Sequence, residues 1–248
     1  MEKAFTKPLP LSFGKQALNA EEQVCPACGL RSPWEKPPRK CPGCDWVFPD
    51  ISHPESVVIE GHTRGLWGSI KGHFVVIGRD VRIGRGSVVW NLVYIGAGAQ
   101  IGEKVKIGSM THIDYDTIIG DRTLVEGCVY IPPLSRIGRG CFLGPNVTLT
   151  NDPYPPSGRD SEAKVLEGVT IEDGAIIGAM ACIRAGVTVH RRAVVGMGAV
   201  VTKDVPEEVV VLGNPARVHS TREEYETKRK VWLRRKGLIN SREEAHEL

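Results

Sequence analysis

The sequence predicts an all-β protein: a solenoid of short stacked strands, preceded by a small metal-binding module and closed by one helix. Three observations carry this reading. From Ile59 to Pro206 the chain repeats every six residues, without a gap in IGRDVR-IGRGSV-VWNLVY-IGAGAQ-IGEKVK-IGSMTH-IDYDTI-IGDRTL (Ile77 to Leu124). Upstream stand two Cys-x-x-Cys knuckles twelve residues apart. Downstream, Thr221-x-x-Glu224 reads as a capping box ahead of spaced apolar residues. The expected boundaries are 1–55 for the metal-binding segment, 56–218 for the solenoid with a loop inserted at 155–164, and 219–248 for a helical tail.

In the first segment, Cys25, Cys28, Cys41 and Cys44 have the spacing of one tetrahedral thiolate site. Zn²⁺ is the default occupant, which makes the segment a zinc ribbon; a rubredoxin-like iron site is the alternative. Trp34 and Trp46 would form its small core, and without metal the segment would not fold.

The repeat is best read in frame from Ile59. Sixteen hexads run to Tyr154, ten extra residues follow (Pro155 to Lys164), and seven more hexads run from Val165 to Pro206. Of these 23 first positions, 21 are Ile, Leu or Val; Gly65 and Lys71 are the exceptions. Fifth positions are almost all small or β-branched. A helix of 3.6 residues per turn cannot hold a strict period of six, whereas short strands joined by sharp corners can. Positions five and one then point inward with position six between them pointing out. Positions two to four turn the corner, where Gly and Asp are expected to relieve backbone strain. A polar loop ejected from so regular a coil is expected to form one wall of a pocket.

Composition narrows the function. The 248-residue chain is 41% hydrophobic but only 6% aromatic, so its core is built from Val and Ile. A formal charge of +3 is too small to imply nucleic acid. No run of eighteen apolar residues predicts a membrane span, and the N-terminus lacks the apolar stretch of a secretory signal. Four of seven cysteines sit in knuckles and three are scattered, which fits a reducing compartment, so a cytoplasmic location is expected. In the tail, Tyr225, Trp232 and Ile239 with Val231 and Leu238 make an apolar stripe expected to pack on the solenoid. The basic clusters 228–230 and 234–236 form its outer face; contact with an anionic membrane is the less favoured reading.

The pattern [LIV]-G-x-x-[STAV]-x resembles the hexapeptide-repeat acyltransferases, whose fold is a left-handed parallel β-helix with three hexads per triangular coil. Two further segments, VWNLVYIGAGAQIG (Val89 to Gly102) and CFLGPNVTLTNDPYPPS (Cys141 to Ser157), are similar to the nucleotide-sugar 3-N-acetyltransferases. The resemblance implies acetyl-CoA as co-substrate, a nucleotide-linked amino sugar as acceptor, and a homotrimer with active sites in the clefts between subunits. With three hexads per coil, residues eighteen apart stack. Tyr94, His112, Tyr130 and Thr148 then form one outward column, the expected cleft wall, while Val88, Lys106, Leu124, Phe142, Thr170 and Thr188 form another, expected to pack against a partner or the tail.

On this resemblance His112 is the candidate base, Asp152 or Glu126 orients the amine, Tyr130 lines the cleft, and Asn151 and Tyr154 hold acceptor hydroxyls. Gly178-Ala179 and Gly196-Met197, one coil apart on a shared corner, would take the pantetheine arm, with Arg217 and the pair Arg191-Arg192 near the coenzyme phosphates. The chain departs from relatives at Pro156, where they carry Arg and where Arg159 is the substitute, and at Glu126-Gly127, where they carry amides. Two other functions fit the fold: a non-enzymatic scaffold, and a γ-class carbonic anhydrase. The latter needs three metal-binding histidines, whereas only His112 and His190 lie in well-formed coils.

Overall fold

The computed structural model describes residues 23–24, 31–32, 50–52, 56–59, 66, 68–155 and 166–239. The four knuckle cysteines, Trp34, Trp46, Arg159 and residues 156–165 of the loop lie outside the described residues.

Position six of each hexad and the following position one form a two-residue parallel strand, and three such strands complete a coil. The coils stack into a three-faced prism. One face carries eight strands, among them Tyr94–Ile95, His112–Ile113, Tyr130–Ile131, Thr148–Leu149 and Cys182–Ile183. We call it the histidine face. A six-stranded face runs from Arg82–Ile83 to Thr188–Val189. A ten-stranded face ends in an antiparallel pair, Val209–Leu212 with Arg217–Thr221. The register confirms the eighteen-residue stack, since His112 pairs with Tyr94 on one side and Tyr130 on the other.

The core is a column of position-five and position-one side chains, nearly all Val, Ile, Leu or Ala. Lys71 fails the pattern because the strand beside it is shifted by one residue, with Ile70 opposite Val89; Ile70 takes the inward place, as Leu66 does earlier, and each is 1% exposed. Ser87, Thr111, Thr117 and Thr123 are also buried, and each donates its hydroxyl to a carbonyl fifteen residues ahead in the next coil, at 2.8, 2.9, 3.3 and 2.8 Å.

Gly and Asp do relieve backbone strain at the corners, as at left-handed Asp80, Gly86, Gly98 and Asp116, and two details refine this. Position four, not the glycine of position two, is the left-handed residue, as at Asp80, Asp116 and Met180. Glycine at position two answers a close approach between coils: a Cβ on Gly178 would lie 2.5 Å from the amide nitrogen of Met197.

The loop is also larger than the sequence frame implied. Thr148 pairs with Cys182, 34 residues on, so 34 − 18 = 16 residues are extra rather than ten. They leave after Asn151 and return at Glu167, whose amide donates to the Asn151 carbonyl at 2.9 Å. One apparent hexad is therefore spent outside the stack. As a result Phe142 is followed in its column by Ile176 and Val194, while Thr170 stacks on Arg136 and Thr188 on the six-stranded face. Ser135, whose carbonyl fifteen residues ahead would be that of Thr150 at this exit, is the one buried hydroxyl among the described residues without a partner.

Helix α1, Arg222–Arg235, opens with the expected capping box: Thr221 Oγ1 accepts from the Glu224 amide at 3.2 Å and Glu224 Oε2 from the Thr221 amide at 3.3 Å. Its apolar stripe does not pack on the prism, since Val231, Trp232 and Leu238 are all exposed. The helix is held instead by buried Arg222, which donates to the carbonyls of Arg192 at 2.9 Å and Gly174 at 3.4 Å and pairs with Glu226 at 2.7 Å. No helix among the described residues is long and apolar enough to cross a membrane.

Candidate functional site

Strand alternation turns position six outward, so the histidine face presents Tyr94, His112, Tyr130 and Thr148 in consecutive coils. The His112 ring stacks on Tyr94 with centroids 4.5 Å apart and tilts against Tyr130 at 5.4 Å. Beside it is a residue that the sequence reading passed over. Asp114 follows His112 by two and therefore also points outward; its Oδ2 lies 3.7 Å from His112 Nε2. Its other oxygen accepts from the Tyr115 amide at 2.8 Å, which fixes the carboxylate. Burial, the Asp114 charge and Tyr115 together push the Tyr130 phenol above its ordinary value, so Tyr130 stays a neutral donor at neutral pH. The signal that would have found Asp114 was the His-x-Asp spacing on a two-residue strand.

Two corners flank this face. The corner entering it from the ten-stranded face bears Glu126, Gly178-Ala179 and Gly196-Met197, in phase. At position three of other corners, the amides of Glu103, Arg139 and Arg191 are capped by the carboxylates of Asp121, Asp173 and Glu172. Among the described residues the amides of Ala179 and Met197 have no acceptor, so this edge presents uncommitted N–H donors. The turn at Gly213–Ala216 closes its end: the Val200 amide donates to the Gly213 carbonyl and the Ala216 amide to the Val200 carbonyl, at 3.0 and 2.8 Å. Arg217 follows at once, exposed. Arg191 and Arg192 do not join this edge. They sit on the corner leading from the six-stranded to the ten-stranded face, where Arg192 pairs with Glu208 at 2.6 Å.

The corner leaving the histidine face carries Asp114 and, two coils along, the loop exit. Asn151 is half-buried there, and Asp152 Oδ1 accepts from the Tyr154 amide at 3.0 Å, a local turn that orients the loop. The exposed Tyr154 ring lies over the Arg184 guanidinium, 5.6 Å away. His112 and Asp152 are thus not brought into contact; two strand spacings, about 10 Å, separate their coils. Glu126 and Tyr130 lie one coil beyond His112, on opposite sides of it from Tyr94.

Among the described residues no three His, Cys, Asp or Glu side chains cluster as a metal site, and His190 lies on another corner from His112, paired with Glu172 at 3.2 Å. A shallow open hollow of about 340 Å³ beside Arg136, Thr170, Glu172 and Arg191 lies on the six-stranded side of the prism, away from the histidine face; its Glu172 carboxylate is taken up by His190 and the Arg191 amide.

Residues 168–203 match the family model for the hexapeptide repeat of succinyl-transferase. The match covers the last coils of the prism. A galactoside O-acetyltransferase of Lactococcus lactis is 36% identical over 33% of this chain and 41% of its own length. A 2,3,4,5-tetrahydropyridine-2,6-dicarboxylate N-acetyltransferase of Staphylococcus aureus is 41% identical over 33% of this chain and 30% of its own length. The chain thus spans well under half the length of these curated relatives. Among solved structures, PerB from Caulobacter crescentus, in complex with CoA and GDP-perosamine, is 26% identical, covering 58% of this chain and 59% of that one with a TM-score of 0.28.

Proposed function

We propose that the chain transfers an acetyl group from acetyl-CoA to the amino group of a nucleotide-linked amino sugar, as a homotrimer of left-handed β-helices. The observation that supports this best is the grouping on one face: His112 stands between a small-residue corner with uncommitted amides and the loop corner with Asn151 and Tyr154. The first edge suits the amide-rich arm of the coenzyme, the second an acceptor. Both curated relatives are acetyltransferases by name, one acting on a galactoside oxygen and one on a nitrogen. The acetyl group is common to their names; the acceptor is not.

In the reaction the amine nitrogen attacks the thioester carbonyl, a C–N bond forms and the C–S bond breaks. His112 accepts the amine proton, and the departing thiolate takes up a proton to leave as free thiol. A general base of this kind contributes about 10²–10⁴-fold, with positioning and backbone donors to the oxyanion supplying more. Tyr130 and Asn151 would hold acceptor hydroxyls, and Glu126 would line the donor edge. Support for the trimer comes from the same corner as Gly178: Phe74, Leu92 and Met110 occupy its left-handed position four, and all three are exposed. A large apolar side chain in that backbone region, open to water, suits a covered surface. Cys25, Cys28, Cys41 and Cys44 would hold one zinc ion, checked by metal analysis of the full chain and of Cys25→Ser. A cytoplasmic location fits this reading of the cysteines.

The test is release of free thiol from acetyl-CoA in the presence of UDP-, dTDP- or GDP-linked aminohexoses, with mass spectrometry of the sugar. Acceptor-dependent release and a singly acetylated product are expected. Tight CoA binding without turnover on any of these amines would sink the reading, and so would a stable complex with another protein and no CoA binding at all.

A further inference from the structure

Some carboxylates of this protein are matched by an arginine. Asp121 lies 3.8 Å from Arg139, Glu208 2.6 Å from Arg192, and Glu226 is held by both Arg222 and Arg229 at 2.7 and 3.3 Å. Asp114 belongs to those that are not, and what sets it apart is the histidine beside it. Among the described residues its one basic neighbour is His112, at 3.7 Å, and no Lys or Arg approaches it. Its carboxylate is fixed by the Tyr115 amide at 2.8 Å. The ground in front of it is aromatic, formed by the Tyr94, His112 and Tyr130 rings within 4.5 and 5.4 Å of one another. A fixed anion beside electron-rich ring faces is a receptor for a compact cation.

We infer that Asp114 binds the acceptor as its ammonium and so selects an amine over a hydroxyl, an assignment that rests on the acetyl-transfer reading above. Two atoms 3.7 Å apart can both lie within about 2.9 Å of one nitrogen, so Asp114 Oδ2 and His112 Nε2 can share the same amine. The arriving –NH₃⁺ group is paired with Asp114, passes one proton to His112 Nε2 and becomes the nucleophile. After attack on the thioester a second proton leaves the nitrogen, and the sulfur keeps one. Each turnover converts ammonium and acetyl thioester to amide, thiol and one proton released to solvent. A hydroxyl acceptor carries no charge to offset the desolvation of Asp114, so the same pocket discriminates against it.

The experiment uses the full-length protein, with 3-amino-3-deoxyglucose as probe and glucose as its hydroxyl counterpart. The ring resonances of His112 are followed by NMR. The amine is expected to move them saturably and glucose to leave them unmoved. Asp114→Asn, checked for an unchanged thermal midpoint, should bind the amine about 10- to 100-fold more weakly, the worth of a charged hydrogen bond. Asp114→Glu should fall between Asn and the native residue. The inference is overturned if glucose shifts His112 as the amine does, if the amine shifts nothing, or if Asp114→Asn binds it undiminished. Thiol release that continues in an Asp114→Asn variant with unchanged amine affinity would sink this assignment alone. Amine binding through Asp114 in a protein that releases no thiol would sink the transfer reading alone.

Discussion

Cys141 shows how the repeat treats a single side chain. It occupies an inward position five, 2% exposed, where its thiol meets the Glu172 carbonyl at 3.2 Å. Burial pushes the thiol from its usual range up to about 11. Because the folded value lies above the unfolded one, the thiol's contribution is intact below about pH 9 and is lost as pH rises through about 11. Urea midpoints should therefore fall over that window, and the fall should be smaller in Cys141→Ala. In the native protein Cys141 should resist iodoacetamide while the half-buried Cys128 and Cys182 react. At this scale the sequence was readable wherever phase decides orientation. His112 and Tyr130 were found because position six faces out. Asp114 was passed over although its His-x-Asp spacing from His112 was there to be read; only the 3.7 Å approach of its carboxylate to the imidazole lies outside what spacing records.

Elements were readable in existence and less so in attachment. The capping box of α1 could be seen in Thr221 and Glu224, and it formed. What the helix packs against could not, because its anchor is a buried arginine and not its apolar stripe. Arg222→Ala would leave the Gly174 and Arg192 carbonyls without their donor and Glu226 without its closest cation, a loss of about 1–3 kcal/mol. Amide exchange across 223–235 should rise in that variant while exchange in the coils stays as it was. Although burial alone would raise it, the carboxyl of Glu226 is held below its usual value by Arg222 and Arg229, so this attachment weakens as pH falls through the carboxylate range. The loop gives the same lesson. The hexads counted after the loop look continuous, yet Thr170 pairs with Arg136, 34 residues back, since pairing is a three-dimensional relation that hexad counting approximates.

For the whole molecule, the period of six was enough to give short strands and an inward column, while the parallel stack of eighteen followed from the family resemblance. Each coil touches its neighbours alone, so local pattern and global fold coincide to an unusual degree. Assembly is where that one-dimensional logic stops. Phe74, Leu92 and Met110, exposed at left-handed corner positions, suit the proposed surface covered by another copy. Leu92→Asp should leave the far-ultraviolet spectrum unchanged and shift the scattering mass from trimer to monomer; a mass that does not change would remove the proposed trimer contact.

The sixteen-residue detour has a further consequence, for the ancestry of the molecule. Because the ladders close beneath it as though nothing intervened, its two feet are held by a single amide-to-carbonyl bond, from Glu167 to Asn151. Excising 152–167 should splice one ordinary bend and return every later strand to its mate, whereas cutting out 155–164 would strand six surplus residues. The shorter protein should melt cooperatively and still retain CoA on an affinity column. Such a segment is a cassette: lineages could trade it for another sugar at its two feet, with the Tyr154 ring against Arg184 among the contacts to be replaced.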